Sequence, residues 1–473
     1  MVRPGERIHV IGIAGSGAAG TALLCSLAGA AVDGCDLDAP SPYTPPLDAA
    51  GIRWAVGHDP AHLAGVERVA ITPALRSHPE LPELVAAHTR DLPVVPWQAL
   101  LGELMGERGH LGLAVTGTHG KSTTTALLGH LLIGAGLDPT VEVGAFIADW
   151  GATVRPGGGA PFVVEADEFG ENFLHYRPAA VILTNVEMDH PDFFADRAAV
   201  LDSFERFVRG MRPDERVGGC LLLAATGDPG IEALLARLGD WPGRVERYGR
   251  GGSAEPVAVE YSTAGTAFSL FGQRFEMGLA GEHNLLNATA ALSLARTLGA
   301  SLEALAGSLR AFRGAGRRME LIADTAGVAI YDDYGHHPTE VRAALAAARQ
   351  KVGARRLWAV FEPHMYSRTA LFLDEFATAF GDADEVVIAD IFASRDADTS
   401  VTSAEALADA IERSSGIPAM AGGDVESTAQ YVADHLRAGD AVLVMGAGKS
   451  YLIARSLADA LRDGVLDRPR AVS

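Results

Sequence analysis

The stretch Gly112-Leu-Ala-Val-Thr116-Gly117-Thr118-His119-Gly120-Lys121-Ser122-Thr123-Thr124 decides the fold. Its first five residues, Gly112–Thr116, read as an apolar strand. Its end opens a helix that the apolar spacing carries through Leu132. Between them lies a glycine-bearing turn, Gly117–Ser122. Strand, glycine turn and helix N-terminus, in that order, make a phosphate-binding loop. The glycines let the backbone close round phosphate oxygens, and the helix aims unpaired N–H groups at them. The standard pattern is G-x-x-x-x-G-K-[ST]. Here Val115 stands where the first glycine belongs and Gly117 follows two residues later, so the loop is a shortened variant. It predicts a nucleotide site in which Lys121 neutralises the β- and γ-phosphates and Ser122 or Thr123 faces Mg²⁺.

Two acidic clusters follow. Glu165-Ala-Asp167-Glu168 ends the strand Phe162–Glu165, and Asn185-Val-Glu187-Met-Asp189-His190 follows the strand Ala179–Thr184. Both sit at strand C-termini, where α/β proteins place their ligand sites. Carboxylate oxygens suit Mg²⁺, which keeps several waters and bridges to phosphates. His190 is a less usual magnesium ligand that can complete such a site.

On either side of this unit the same grammar recurs. Upstream, Arg7–Ile13, Ala31–Asp36 and Val66–Thr72 read as strands, and Ala18–Ala30 and a segment near Pro79–His88 as helices, with Leu92–Pro96 short and apolar. Downstream of the acidic clusters, Val200–Gly210 is helical, residues 240–280 are β-structure, and His283–Gly299 is a long Ala-rich helix. Strands are then expected at Val328–Tyr331, Arg356–Phe361, Glu385–Ile391 and Ala441–Met445, and Ala-rich packing helices at Arg342–Arg349 and Ser403–Arg413. Strands alternating with helices make βαβ units. The expectation is an α/β protein of three domains, 1–108, 109–313 and 314–473: a Rossmann-like unit, a central P-loop unit with a mostly parallel sheet, and a second Rossmann-like unit.

Composition narrows the partners. The chain has 473 residues, 48% apolar and 21% charged, which is that of a soluble globular protein. A net charge of -21 argues against general affinity for nucleic acid or anionic membrane. The run from Ile8 to Val32 is apolar, but five glycines interrupt it, so it is strand, turn and helix and not a signal peptide. Three cysteines, Cys25, Cys35 and Cys220, with no C-x-x-C, argue against a disulfide framework or a zinc site and fit a reducing cytoplasm. The adjacent pair His336-His337 is an unpromising metal pair, since neighbours in sequence seldom share a face.

Taken together, these motifs resemble the Mur ligase family over nearly the whole chain. The resemblance rests on Ile11-Gly-Ile-Ala-Gly15-Ser-Gly17, Gly117-Thr-His-Gly-Lys-Ser-Thr-Thr, Glu165-Ala-Asp-Glu168, Thr184-Asn-Val-Glu-Met-Asp-His190 and Gly281-Glu-His-Asn284-Leu-Leu-Asn287. It continues through Gly314-Ala-Gly-Arg-Arg318, Asp332-Asp-Tyr-Gly-His-His-Pro338 and Phe361-Glu-Pro-His-Met-Tyr-Ser-Arg368-Thr. It implies an ADP-forming ligase of peptidoglycan precursor synthesis, working with ATP and Mg²⁺ through an acyl phosphate, as a monomer or homodimer. The motifs are most similar to members that add L-alanine to UDP-N-acetylmuramate. A member that recycles a murein tripeptide, or one that adds another amino acid, is the alternative.

The resemblance also implies roles. Gly117, Thr118, His119, Gly120, Lys121, Ser122 and Thr123 would cradle the phosphates. Ser122 and Glu165 would serve one Mg²⁺ and His190 a second. Asn284 and Asn287 would hold the adenine side, and Arg318 and Asp333 would reach ATP from the third domain. Tyr334, His336 and Arg368 would line the amino-acid and carboxylate site. Gly15, Ser16 and Gly17, with Asp36, would receive the UDP group. Some members hold the second metal with a carbamylated lysine. This chain has only Lys121, Lys351 and Lys449, so its second metal would depend on His190 and nearby carboxylates. The chain departs from the family at Phe169-Gly170, where Ser-Asp is common, at Met365, where arginine is common, and at Lys449, where aspartate is usual.

Two other classes fit parts of the chain. Gly15-x-Gly17-x-x-Gly20 with Asp36 downstream is also a dinucleotide fingerprint, as in an NAD-dependent oxidoreductase. A non-catalytic nucleotide-sugar sensor is the other; Lys121, Glu165 and His190 argue against it.

Overall fold

The computed structural model describes residues 1–37 and 40–464, so the last nine residues of the expected third domain lie outside the described residues. The chain builds three sheets of largely parallel strands and one small antiparallel sheet. The first sheet runs in the order Arg53–Val56, Ala31–Asp36, Arg7–Ile11, Arg68–Ile71, Val94–Pro96, all parallel. The order reverses direction at Arg7–Ile11, the switch point where such sheets bind ligands.

The second sheet has seven strands. Leu111–Thr116 lies inside it, between Ala180–Leu183 and Pro161–Glu165, parallel to both. All six of its residues are buried, as a strand covered on both faces requires. Thr140–Ile147 and Ala152–Arg155 close one edge, the last strand antiparallel. Leu221–Ala225 and Arg244–Tyr248 extend the other. Val257–Ser262, Gly265–Leu270 and Gln273–Met277 make the antiparallel sheet. The helix Glu282–Thr297 then returns to pack on Lys121–Gly134.

The last large sheet runs Glu320–Thr325, Val328–Asp333, Ala441–Met445, Leu357–Phe361, Glu385–Ala389, Ala419–Gly423. Only its first strand is antiparallel. One apolar core joins the first sheet to the second, running from Ile8 and Val10 through Leu100 and Leu104 to Leu113 and Leu127. The third unit has its own two cores, one on each face of its sheet. None of the described helices is long and apolar enough to cross a membrane.

Several element limits differ from the sequence reading. The first helix is Ser16–Leu27 and stops before Gly29, whose φ of +96° ends the helical turn. The helix expected at Arg342–Arg349 is longer, Pro338–Val352: His337 and Glu340 form a capping box, and Pro338 occupies the first turn. The strand expected over Val66–Thr72 is only Arg68–Ile71. The helix Trp97–Met105 and the strand Thr140–Ile147 went unread in the sequence.

Candidate active site

Left-handed backbone shapes the loop after Leu111–Thr116. Gly117 has φ +133°, and a Cβ there would lie 2.1 Å from the Thr184 hydroxyl. Gly120 has φ +81° and caps the helix Lys121–Gly134. Glycine is needed at both, for conformation and for space. The Thr184 hydroxyl donates to the His119 carbonyl at 2.6 Å, and the Asn185 amide oxygen accepts from the His119 N–H at 2.7 Å. The neighbouring strand end therefore holds the loop open.

Lys121 Nζ is largely buried and donates to the carbonyls of Gly117 and Thr118 at 2.7 and 3.1 Å and to Glu168 at 2.7 Å. Burial alone would lower its pKa. Glu168, Asp167 and Glu165 outweigh burial and keep the ammonium charged. Beside it the Ser122 hydroxyl donates to Glu165 at 2.8 Å, and the other Glu165 oxygen accepts from the Gly144 N–H at 2.7 Å. From the third unit, Arg318 reaches the Ser122 hydroxyl at 3.3 Å. Asp333 fixes the approach by accepting from the N–H groups of Met319 and Gly335, both at 2.8 Å.

Asn284 and Asn287 stand on the helix Glu282–Thr297 and line a pocket with His119, Gly120, Thr123, His283, Arg318 and Asp333. Asn284 donates to the Ala280 carbonyl at 2.7 Å, which fixes its amide. A second cavity of about 930 Å³ opens where all three units meet. Ser16 and Gly17 line it from the first unit, Lys121, Ser122, Glu165 and His190 from the second, and Arg318, Tyr334, His336 and Arg368 from the third. Gly15 and Asp36 are not among its lining residues. Gly15 caps the first helix, and the Asp36 carboxylate braces the turn from behind by accepting the Ala14 N–H at 2.9 Å.

One expectation needs correction. The G-x-G-x-x-G pattern is fixed here by packing. A Cβ on Gly17 would stand 2.3 Å from the Trp97 ring, and one on Gly20 would press on Val154 of the second unit at 3.2 Å. Such spacing is not by itself a dinucleotide signal. Arg368 lines the cavity with its donors already engaged. Its Nε and Nη2 donate to one oxygen of Asp189 at 2.9 and 2.8 Å, and Nη1 lies 3.0 Å from His364 Nδ1. Both partners are buried, so the pair clamps the third unit to the second.

Other contacts across this seam were not read from the sequence. The Thr339 hydroxyl donates to Glu187 at 2.8 Å, and His119 Nδ1 lies 3.2 Å from Glu340. Burial would lower the His119 pKa, but Glu340 and Glu187 raise it to about 10. The His337 ring packs on His119 at 4.6 Å, and burial beside that cation lowers its own pKa to about 4. His336 faces another way, towards Tyr334 and His364, and burial lowers it to about 4.

Oxygen donors fit a magnesium ion. Ser122 and Glu165 touch directly, and Asp167, Glu168 and His190 offer donor atoms within 4.8 Å of one another. Glu168 Oε1 and His190 Nδ1 are buried and make no hydrogen bond. At the departures from the family pattern, Phe169 packs its ring on His190 at 4.8 Å and under the Arg395 guanidinium at 4.5 Å. The buried Met365 sulfur lies 3.8 Å from Arg395 Nη2. Arg395 thus packs between Phe169 and Met365.

Three family descriptions match the chain: "Mur ligase family, catalytic domain" over residues 7–108, "Mur ligase middle domain" over 115–295 and "Mur ligase, glutamate ligase domain" over 317–448. Among curated relatives, UDP-N-acetylmuramate–L-alanine ligase of Mycolicibacterium vanbaalenii is 39% identical, covering 96% of this chain and 95% of the relative. The protein of the same name from Kineococcus radiotolerans is 41% identical, covering 93% of each. Among solved structures, UDP-N-acetylmuramate-alanine ligase of Thermotoga maritima superposes with a TM-score of 0.79 at 25% identity, covering 97% of this chain and 99% of that one. A murein peptide ligase of Psychrobacter arcticus gives 0.66 at 26% identity, covering 97% and 99%.

Proposed function

The chain belongs to the Mur ligase family, and on that premise we propose that it joins L-alanine to UDP-N-acetylmuramate at the expense of ATP, through an acyl phosphate. The observation that carries the reading is the meeting of three elements on one cavity: the phosphate loop at Lys121, Arg318 on the Ser122 hydroxyl, and the first unit's helix start at Ser16 and Gly17.

Each element has a task in the reaction. A transferring phosphoryl group needs charge neutralisation and in-line positioning more than it needs a covalent partner. Lys121 supplies a fixed cation, and the loop N–H groups supply directed donors. Glu168 and the two loop carbonyls now hold the lysine, so it waits in place rather than searching for its position. Ser122 and Glu165 would hold one Mg²⁺, with Asp167, Glu168 and His190 offering a second place. The ion would supply charge neutralisation for the phosphates. Arg318 comes from the third unit and so completes the site only when the two units are docked. Asn284, Asn287 and His283 form the walls that receive the base. The Arg368–Asp189, Thr339–Glu187 and His119–Glu340 contacts keep the seam shut, which excludes water from an acyl phosphate that would otherwise hydrolyse. The apolar join between the first and second units keeps the UDP side at a fixed distance from the loop.

The test is phosphate release by the full chain with ATP, Mg²⁺ and UDP-N-acetylmuramate against a panel of amino acids and the murein tripeptide. L-alanine should accelerate turnover most. Acceleration by the tripeptide alone would move the assignment to the recycling reaction, and NADH binding with no ATP consumption would overturn it.

A further inference from the structure

A second cluster of chemically capable side chains lies in the first unit, on the face of its sheet turned away from the second unit. Strand residues alternate faces. Ile8 and Val10 enter the core shared with the second unit, so His9 turns to the opposite face, where Ile11, Cys35, Leu63, Leu84 and Ala87 form a small core of their own. Cys35 comes from Ala31–Asp36, His62 from the short turn Pro60–Leu63, and Glu83 from the first turn of Pro82–Thr89. Four elements therefore deliver one sulfur, two imidazoles and a carboxylate to one place. Their donor atoms all lie within 4.8 Å of one another.

We infer that His9, Cys35, His62 and Glu83 form a structural site for a borderline-soft divalent cation, Zn²⁺ by preference. A thiolate with two imidazoles selects such an ion over Mg²⁺, whose ligands are oxygens. Four protein ligands with no open position make a structural rather than a catalytic site. With Zn–N near 2.0 Å and Zn–S near 2.3 Å, tetrahedral ligand atoms stand roughly 3.3–3.8 Å apart. Here Cys35 Sγ and His9 Nε2 lie 3.3 and 3.6 Å from Glu83 Oε1. His62 Nδ1 is closer to that oxygen, at 2.6 Å, and must draw back. It is the most exposed of the four and stands on a short turn, so it has room to do so and marks the entry path.

Two features separate this site from an ordinary buried hydrogen-bond network. His9 is 2% exposed, yet its Nε2 makes no hydrogen bond and meets only the Glu83 carboxylate, across a long 3.6 Å gap. A buried imidazole nitrogen left at that distance from its one polar neighbour is better satisfied by an ion seated between the two. The other ring nitrogen, Nδ1, lies 2.7 Å from Asp33. That carboxylate–histidine contact orients a metal-binding ring and raises its basicity. His58, 3.0 Å from the second oxygen of Glu83 and 3.3 Å from Cys35, buttresses the carboxylate in the same way.

The charges and protons balance. A Cys35 thiolate and the Glu83 carboxylate offset the two charges of the ion. Cysteine and histidine bind a metal only without their protons, so loading expels protons to solvent and affinity should rise with pH. The cysteine spacing pointed away from zinc because it counted sulfurs only. One cysteine suffices when histidines from neighbouring strands and turns complete the set.

The test titrates Co²⁺ and then Zn²⁺ into the chelator-treated full chain. The expected result is one equivalent of Co²⁺ with a thiolate-to-cobalt charge-transfer band, displaced by one equivalent of Zn²⁺, and a higher Tm on loading. Cys35→Ser should abolish the band. His62→Gln, at the most exposed position, should weaken binding at least ~10-fold without threatening the fold, and Asp33→Asn should weaken it about 10- to 100-fold. Cys25→Ser and Cys220→Ser should retain the band. A cation at the ligase site gives no sulfur band and is told apart by that. Absence of the band in the wild type, or its persistence in Cys35→Ser, would mean a hydrogen-bonded network only and overturn the proposal.

Discussion

Removing the Asp189 carboxylate should open the seam between the second and third units. Arg368 and Asp189 are 2% and 5% exposed, and two guanidinium nitrogens converge on one carboxylate oxygen at 2.8 and 2.9 Å. In Asp189→Ala the guanidinium stays buried in the docked state without its counter-charge. His364 Nδ1 is left as a neutral neighbour, because burial and nearby cations lower that ring to about 3. Breaking one side of a buried pair costs about 3–5 kcal/mol. Opening the seam lets water reach Arg368, so the cost falls on docking and not on the cores, which lie within each unit. At about 1.4 kcal/mol per factor of ten, the docking equilibrium constant should fall by roughly 100-fold or more, and kcat/KM should fall with the docked population. Small-angle scattering should show a larger radius of gyration, while circular dichroism stays unchanged. Asp189→Asn keeps the acceptor oxygen and should lose less. Arg368→Ala with Asp189→Ala should be less impaired in docking than Asp189→Ala alone, because no charge is left stranded. Asp189→Ala with kcat/KM within about threefold of wild type and unchanged scattering would refute the clamp.

Lys121→Ala should abolish ATP turnover with the fold intact, and full ADP release by the folded variant would contradict the role of the loop. His119 adds a pH signature. Its folded pKa, about 10, lies above the ordinary 6.5, so its ion pairs with Glu340 and Glu187 stabilise fully below about pH 6.5 and fade as pH rises towards 10. The stability gap between wild type and His119→Gln in urea should therefore narrow from pH 6 to pH 10; a constant gap would show that the imidazolium carries nothing. Gly17→Ala sets a methyl 2.3 Å from the Trp97 ring and should cost about 1–3 kcal/mol in urea unfolding, with a raised KM for the nucleotide sugar. An unchanged midpoint would mean that Trp97 yields freely.

The parts that a sequence shows are local. Strand, glycine turn and helix at residues 112–132 are contiguous, and their geometry follows from neighbours in the chain. The Ala-rich helix Glu282–Thr297 was legible for the same reason. The strand Thr140–Ile147 was not, because between its core residues Val141 and Val143 it buries Glu142 against the cavity, a carboxylate whose burial and proximity to Glu165 raise its pKa well above the usual range. Trp97–Met105 was hidden by its position directly after the short strand Val94–Pro96. The roles of Glu187, Thr339 and Glu340 depend on contacts between residues over 150 positions apart, which no local pattern encodes. Arg368 was found by its motif, but its partner was not. Only the docked fold shows that its donors face Asp189.

The acyl phosphate is tested most directly by following oxygen. UDP-N-acetylmuramate carrying ¹⁸O in its carboxylate is incubated with ATP, Mg²⁺, L-alanine and the full chain, and the phosphate released is analysed by mass. Ligation through an acyl phosphate transfers one ¹⁸O atom to phosphate for each amide formed. Unlabelled phosphate, alongside amide formation, would contradict it.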